Sequence, residues 1–191
     1  EAIYHLMAGQ DPQGFDRLEQ ALIQANVCCR YSTVDYLVRL AEEPCIELSQ
    51  QQQWALSYYR AERIVSARHW QQALPVLESL QFRDLPAGLK AKVWLRSGTA
   101  YNRSGRWDQA ESAYNRAVEL GQHADPGTWA WAHTALGLLY EYKGDLERAK
   151  GYQEGALRIA KQARDDLWTS RALNNLAQIY QAQGAFEQAI D

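Results

Sequence analysis

Side chains able to do covalent or metal chemistry are thinly spread through these 191 residues. The four histidines, His5, His69, His123 and His133, are scattered and form no Cys, His or carboxylate cluster at the spacing of a metal-ligand set. Cys28 and Cys29 stand together near the end of a helical stretch, where a redox role competes with the commoner role of small buried hydrophobes. No Gly-x-x-x-x-Gly-Lys-Ser/Thr loop, Gly-x-Ser-x-Gly turn or His-Glu-x-x-His pair occurs. The expectation is therefore a chain with no catalytic residues, no metal and no cofactor. Its function has to come from cations, amides and aromatic rings that hold a partner, and which of these act depends on the elements that carry them.

Composition narrows the partner. With 47% hydrophobic and 11% aromatic residues the chain can build a sizeable core, and disorder is not expected. A formal net charge of -3 argues against nucleic acid and against an anionic membrane surface, both of which select a basic excess. Three cysteines, two of them adjacent, make no disulfide framework, which fits a reducing compartment and a cytoplasmic location. No apolar run approaches the roughly 18 residues of a membrane span. The opening EAIYHLMAGQ lacks the pattern of a signal peptide, and a start without Met suggests a piece of something longer.

The stretch WLRSGTAYNRSGRWDQAESAYNRA, 94–117, reads as two amphipathic helices broken at Ser104-Gly105. Trp94, Gly98 and Tyr101 form one stripe, and Ala110, Tyr114 and Ala117 form the corresponding stripe on the second helix. An interior glycine costs a helix about 1 kcal/mol against alanine, so Gly98 and Ala110 predict close approach of neighbouring helices, with aromatics filling the gap. The pattern recurs. Gly137, Tyr140, Gly144 and Ala149 repeat Gly98, Tyr101, Gly105 and Ala110 at an offset of 39, and Ala177, Tyr180, Gly184 and Ala189 follow at a further 40. Upstream, Trp70, Ala73 and Leu77 match Trp107, Ala110 and Tyr114 at an offset of 37, with Ala61 for the glycine and Ile64 for the tyrosine. Ser49 with Gln52 predicts a capping box, and Asp-Pro-Gly-Thr at 125–128 a break between copies. Trp70, Trp107, Leu146 and Phe186 are expected as core anchors where each second helix begins.

This series resembles the tetratricopeptide repeat, whose first helix carries Trp, Leu, Gly and Tyr and whose second carries Ala, an aromatic and Ala. Ser97 stands for the leucine in one copy; His133 stands for the tryptophan and Gln153 for the aromatic in the next. The resemblance implies an all-α fold, a right-handed superhelical solenoid of antiparallel helix pairs with an N-terminal helical cap. It divides the chain into a cap or degenerate repeat at 1–48, a degenerate repeat at 49–87, repeats at 88–126 and 127–166, and an incomplete one at 167–191. The period of 37 to 40 residues exceeds the usual 34, so longer helices are expected. In the cap, helices are expected over 14–28 and over 32–42, the latter from a Ser32-x-x-Asp35 start, after a shorter one.

The resemblance also implies a concave groove lined by the first helix of each pair. Its groove positions fall on Tyr58, Tyr59 and Glu62; on Lys92, Arg96, Thr99, Asn102 and Arg103; on Trp131, Leu138, Glu141 and Tyr142; and on Arg171, Asn174 and Gln178. Cations and amides beside aromatics suit a protein or peptide of acidic character. A Lys and Arg pair that clamps chain-terminal carboxylates in some relatives is half matched by Lys92 and Arg96, but Tyr58 and Glu62 occupy the other half. The stretch 1–15 is similar to the junction that precedes helical repeats in signal-transduction ATPases of the STAND class. The expected role is a non-enzymatic sensor or scaffold in a larger signalling protein; the rival is a receptor domain for a small-molecule or peptide signal that controls an attached effector. At the far end Leu173, Leu176 and Tyr180 are expected to lack cover, so that the last segment frays or self-associates.

Overall fold

The computed structural model describes residues 2–28 and 30–184, and among them there are ten α-helices and no strand. They fall into two units, 1–80 and 81–191.

The first unit contains α1 (Ala2–Ala8), α2 (Pro12–Val27), α3 (Tyr31–Ala41), α4 (Gln50–Ser66) and most of α5 (Trp70–Gln81). α2 begins two residues earlier than its apolar spacing predicts, because Asp11 caps the Gln13 amide at 2.8 Å and Pro12 suits the first turn. The Ser32 cap does not form: α3 starts at Tyr31, behind Arg30, which makes no side-chain cap. Ser49 and Gln52 do close a reciprocal capping box on α4. Leu18, Leu22, Val34, Leu56 and Leu77 are buried in this unit. Cys28 is exposed rather than a buried small hydrophobe, and Cys29 lies outside the described residues.

The second unit holds α6 (Ala87–Arg103), α7 (Trp107–Gly121), α8 (Pro126–Tyr142), α9 (Leu146–Ala163) and α10 (Asp166–Ala182). α6 packs on α7 and α8 on α9, while α6 also touches α8 and α8 touches α10. The turn after each first helix is the same device: Gly105, Gly144 and Gly184 have φ of 74°, 80° and 74°, a region that costs L side chains energy. The Arg106 and Asp145 amides bond back to the Tyr101 and Tyr140 carbonyls at 2.9 Å. In the first unit Arg68, at φ 65°, makes this turn without glycine. The small residues have partners. A Cβ on Gly98 would stand 2.4 Å from the Tyr114 ring, and one on Gly137 would stand 2.4 Å from the Gln153 amide. Ala110, Ala117, Ala149 and Ala156 are buried between helices. Ser97 occupies the leucine position without a buried orphan, since Gln81, the first residue of this unit, donates to its hydroxyl at 2.8 Å.

Two positions differ from expectation. Trp107 is 41% exposed and meets Tyr142 edge to face at 5.2 Å, so it anchors the surface of the α7–α8 contact. Leu176, expected to lack cover, is buried, whereas Leu173 is exposed. Phe186 and Ala189 lie outside the described residues.

Candidate binding face

α6, α8 and α10 are adjacent, and residues three, four and seven apart share a stripe on each. Lys92, Arg96, Thr99 and Arg103 follow one another on α6; Trp131, Leu138 and Tyr142 on α8; and Arg171, Asn174 and Gln178 on α10. The helix starts fix the register. Asp125 caps α8 by accepting from the Thr128 amide at 2.8 Å, and Asp165 caps α10 by accepting from Trp168 at 3.1 Å.

At the N-terminal end of the stripes the charged and aromatic side chains interleave. The Arg96 guanidinium lies over the Trp131 ring at 4.3 Å. Trp131 stacks on Trp168 at 6.1 Å and 26°, and Arg171 covers Trp168 at 4.7 Å. Each guanidinium is thereby held over an indole ring, which fixes its position on the face. Lys92 is drawn to the α8 cap, 3.7 Å from Asp125. Burial opposes the ionisation of Asp125, but its bonds to the Thr128 hydroxyl and amide, together with Lys92, outweigh that and hold the carboxyl below the usual range.

Further along, the face is open and partly apolar. Leu138 is 44% and Tyr142 70% exposed, on the same stripe as half-buried Trp131. Arg103, Asn174 and Gln178 are exposed, while Thr99, Asn102 and Glu141 are half-buried. Thr99 spends its hydroxyl on the Leu95 carbonyl at 3.0 Å. Tyr114, which fills the space over Gly98 from α7, reaches this region with its hydroxyl: burial pushes its phenol up, opposed by hydrogen bonding with Thr99 and Asn102 and by the charges of Arg103 and Arg96. Four of the α6, α8 and α10 residues are cations, Lys92, Arg96, Arg103 and Arg171, against Glu141. Such a face can hold a ligand through donors and apolar contact, and carboxylates are its natural complement.

The three positions assigned in the first unit do not line an open surface. Tyr58 and Tyr59 are buried, and the Tyr59 hydroxyl donates to Glu19 at 3.0 Å. Burial, then the Glu19 charge and hydrogen bond, pushes that phenol far above its ordinary value. Glu62 is also buried and accepts from Asn26 at 3.1 Å. α2 covers this side of α4, so these residues pack and leave the candidate set. Trp168 was missed: it lies in the first turn of α10 and carries no groove position in the repeat pattern, but its three-residue spacing to Arg171 was legible.

The photosystem I assembly protein Ycf3 of Cyanophora paradoxa is 32% identical over 121 residues, 61% of this chain, and the match spans 63% of that relative's length. The TPR protein TTC0263 of Thermus thermophilus superposes with a TM-score of 0.68 at 19% identity, over 92% of this chain and 86% of that one. The STAND protein with a tetratricopeptide repeat sensor, PH0952 of Pyrococcus horikoshii, gives a TM-score of 0.74 at 14% identity, over 97% of this chain and 29% of that one. At those identities the structures attest the fold, which is that of helical-repeat solenoids. The family model for the tetratricopeptide repeat matches residues 89–162 and again 128–191, together more than half the sequence. With the glycine–aromatic pairing and the recurring glycine turns in place, the chain belongs to the tetratricopeptide-repeat family.

Proposed function

We propose that the chain is a non-enzymatic protein- or peptide-binding module whose working surface is the α6–α8–α10 face, and that its partner is a polypeptide segment combining acidic and apolar residues. The observation that carries this is the juxtaposition, on one face, of guanidiniums pinned over Trp131 and Trp168 with the exposed Leu138 and Tyr142. A family whose members are typically interaction scaffolds supports the reading. So does a relative described as an assembly protein. The repeat boundaries at 88, 127 and 167 are part of the proposal, since each copy then contributes one first helix to the face.

The setting we propose is the sensor or scaffold part of a larger, cytoplasmic signalling protein. Likeness to the tetratricopeptide sensor of a STAND protein supports this, and it also favours the second reading, a receptor for a small-molecule or peptide signal that controls an attached effector. No helix among the described residues is long and apolar enough to cross a membrane. The exposed Leu167 and Leu173 of α10 support self-association as a further proposal.

The test is fluorescence anisotropy with a twelve-residue peptide alternating Asp with Leu or Phe, beside a control in which Ser replaces the apolar residues. Arg96→Glu with Arg103→Glu should abolish capture while the helical circular dichroism stays unchanged. Equal capture by the double variant, or equal binding of the apolar-free control, would move the site elsewhere. The receptor reading predicts instead a small ligand that raises the melting temperature by mass action.

A further inference from the structure

A cleft of about 410 Å³ opens elsewhere on the α8–α9 pair, lined by His133 of α8 and by Arg148, Gly151, Tyr152, Gly155 and Arg158 of α9. At 3.6 residues per turn, His133 lies about 200° around α8 from Trp131, so the cleft and the α6–α8–α10 face are separate surfaces. The α9 residues share one side of the helix over ten positions, roughly 15 Å of rise, with a guanidinium at each end and glycines between.

The two glycines are small for different reasons. A Cβ on Gly155 would stand 2.8 Å from Nδ1 of His133, so the ring needs that space. Gly151 has nothing within 4 Å of the position its Cβ would take. Interior glycine weakens a helix, and Gly98, Gly137 and Gly155 each accommodate a neighbouring side chain in return. Gly151 accommodates none, and its missing side chain leaves an open trough. The wall is flat and aromatic: Tyr152 stacks on Tyr140 at 5.5 Å and 4°, and its ring lies 5.9 Å from that of His133.

The charges at the two ends differ. Arg148 is already shared between Asp145, at 3.2 Å, and the Tyr140 ring. Arg158 has no ion pair among the described residues, and Nδ1 of His133 is buried without a hydrogen-bond partner among them. Burial, and then the Arg158 charge, lowers the His133 pKa to about 4. Glu154 also lines the cleft.

We propose that this cleft is a second binding site, distinct from the face described above, and that it takes a carboxylate carried on an apolar stem. The carboxylate sits against the Arg158 guanidinium, and the stem lies over Gly151 against Tyr152. The source is the C-terminal residue of a polypeptide or a free organic acid.

N-acetyl-leucine is the probe, read by the ring NMR signals of His133 and Tyr152 in the whole chain. Saturable shifts are expected with the acid and none with N-acetyl-leucinamide. Arg158→Gln should weaken binding at least tenfold. Gly151→Leu should abolish it by filling the trough, and since leucine favours helix this variant keeps its fold. An octapeptide ending in leucine that binds tenfold more tightly assigns a polypeptide source, whereas equal affinity assigns a free acid. No saturable shift with the acid, equal shifts with the amide, or unchanged binding to Gly151→Leu overturns the site.

Discussion

The α6–α7 and α8–α9 pairs follow one backbone plan, 39 residues apart, and fill it with opposite chemistry. Both leave a gap at a helical glycine. In the first pair the Tyr114 ring occupies it and Trp94 stands on the same stripe as Gly98 and Tyr101. In the second the occupant is Gln153, wholly buried, whose amide donates to the Thr134 carbonyl at 3.2 Å and accepts from Asn175 of α10 at 3.3 Å. His133 replaces the tryptophan. One interior is filled by a buried ring; the other buries an amide whose hydrogen bonds reach the next helix. Packing geometry thus sets the size of the plug and leaves its polarity free, provided the polar atoms find partners.

The sharpest way to break that contrast is to remove both plugs. Tyr114→Ala should cost about 3 to 5 kcal/mol, the range for emptying a buried aromatic site. Gln153→Ala removes a smaller, hydrogen-bonded group and should cost about 1 to 3 kcal/mol. Urea midpoints at constant slope measure both. Equal costs would mean that the two pairs are held by the same term.

A smaller effect sharpens the picture of close approach. Ala110 and Ala149 are fully buried at equivalent positions, and leucine at either overpacks the contact by about 1 to 3 kcal/mol. Ala149→Leu should fall at the lower end, because Gln153 is a flexible neighbour and Tyr114 is a rigid one. An unchanged denaturation midpoint for Ala110→Leu would remove the register on which the repeat reading rests.

That register was the most legible part of the molecule. The positions of Gly98, Tyr101, Gly105 and Ala110 recur in the sequence, and each has a physical duty: a gap, a ring, a left-handed turn, a helix contact. The candidate face was partly legible. The repeat positions single out Arg96, Trp131 and Arg171, which the fold brings together, but not Trp168, which completes the stack. Tyr58, Tyr59 and Glu62 are buried, because a groove position is open only where no other helix covers it. α2 supplies Glu19 and Asn26 to that side of α4, a long-range fact that local spacing does not contain. Gln153 was visible as a departure from the repeat, while its bond to Asn175 was not. Likewise, the spacing that marked Trp107 as an anchor could not show that its ring packs half exposed against Tyr142.

The smallest expected effect follows from His133, the other substitution that separates the two pairs. Its ring is half-buried, and burial, then the nearby Arg158 charge, lowers its pKa from 6.5 to about 4. The folded state therefore holds the ring neutral in a range where the unfolded chain protonates it, so stability falls as pH falls from 6.5 towards 4 and is unaffected by this group above that window. Each full pH unit of the difference is worth up to about 1.4 kcal/mol. Because the half-buried ring still meets solvent, which screens the Arg158 charge, the total should be only on the order of 1 to 2 kcal/mol. Carboxylates such as Glu111 and Asp125, held below their usual range, also lose stability on acidification, so the measurement has to be differential. Urea midpoints between pH 7 and pH 4 for the parent chain and for His133→Phe isolate the imidazole. The parent should lose more than the variant across this window, and parallel curves would show that His133 is not held neutral by its surroundings.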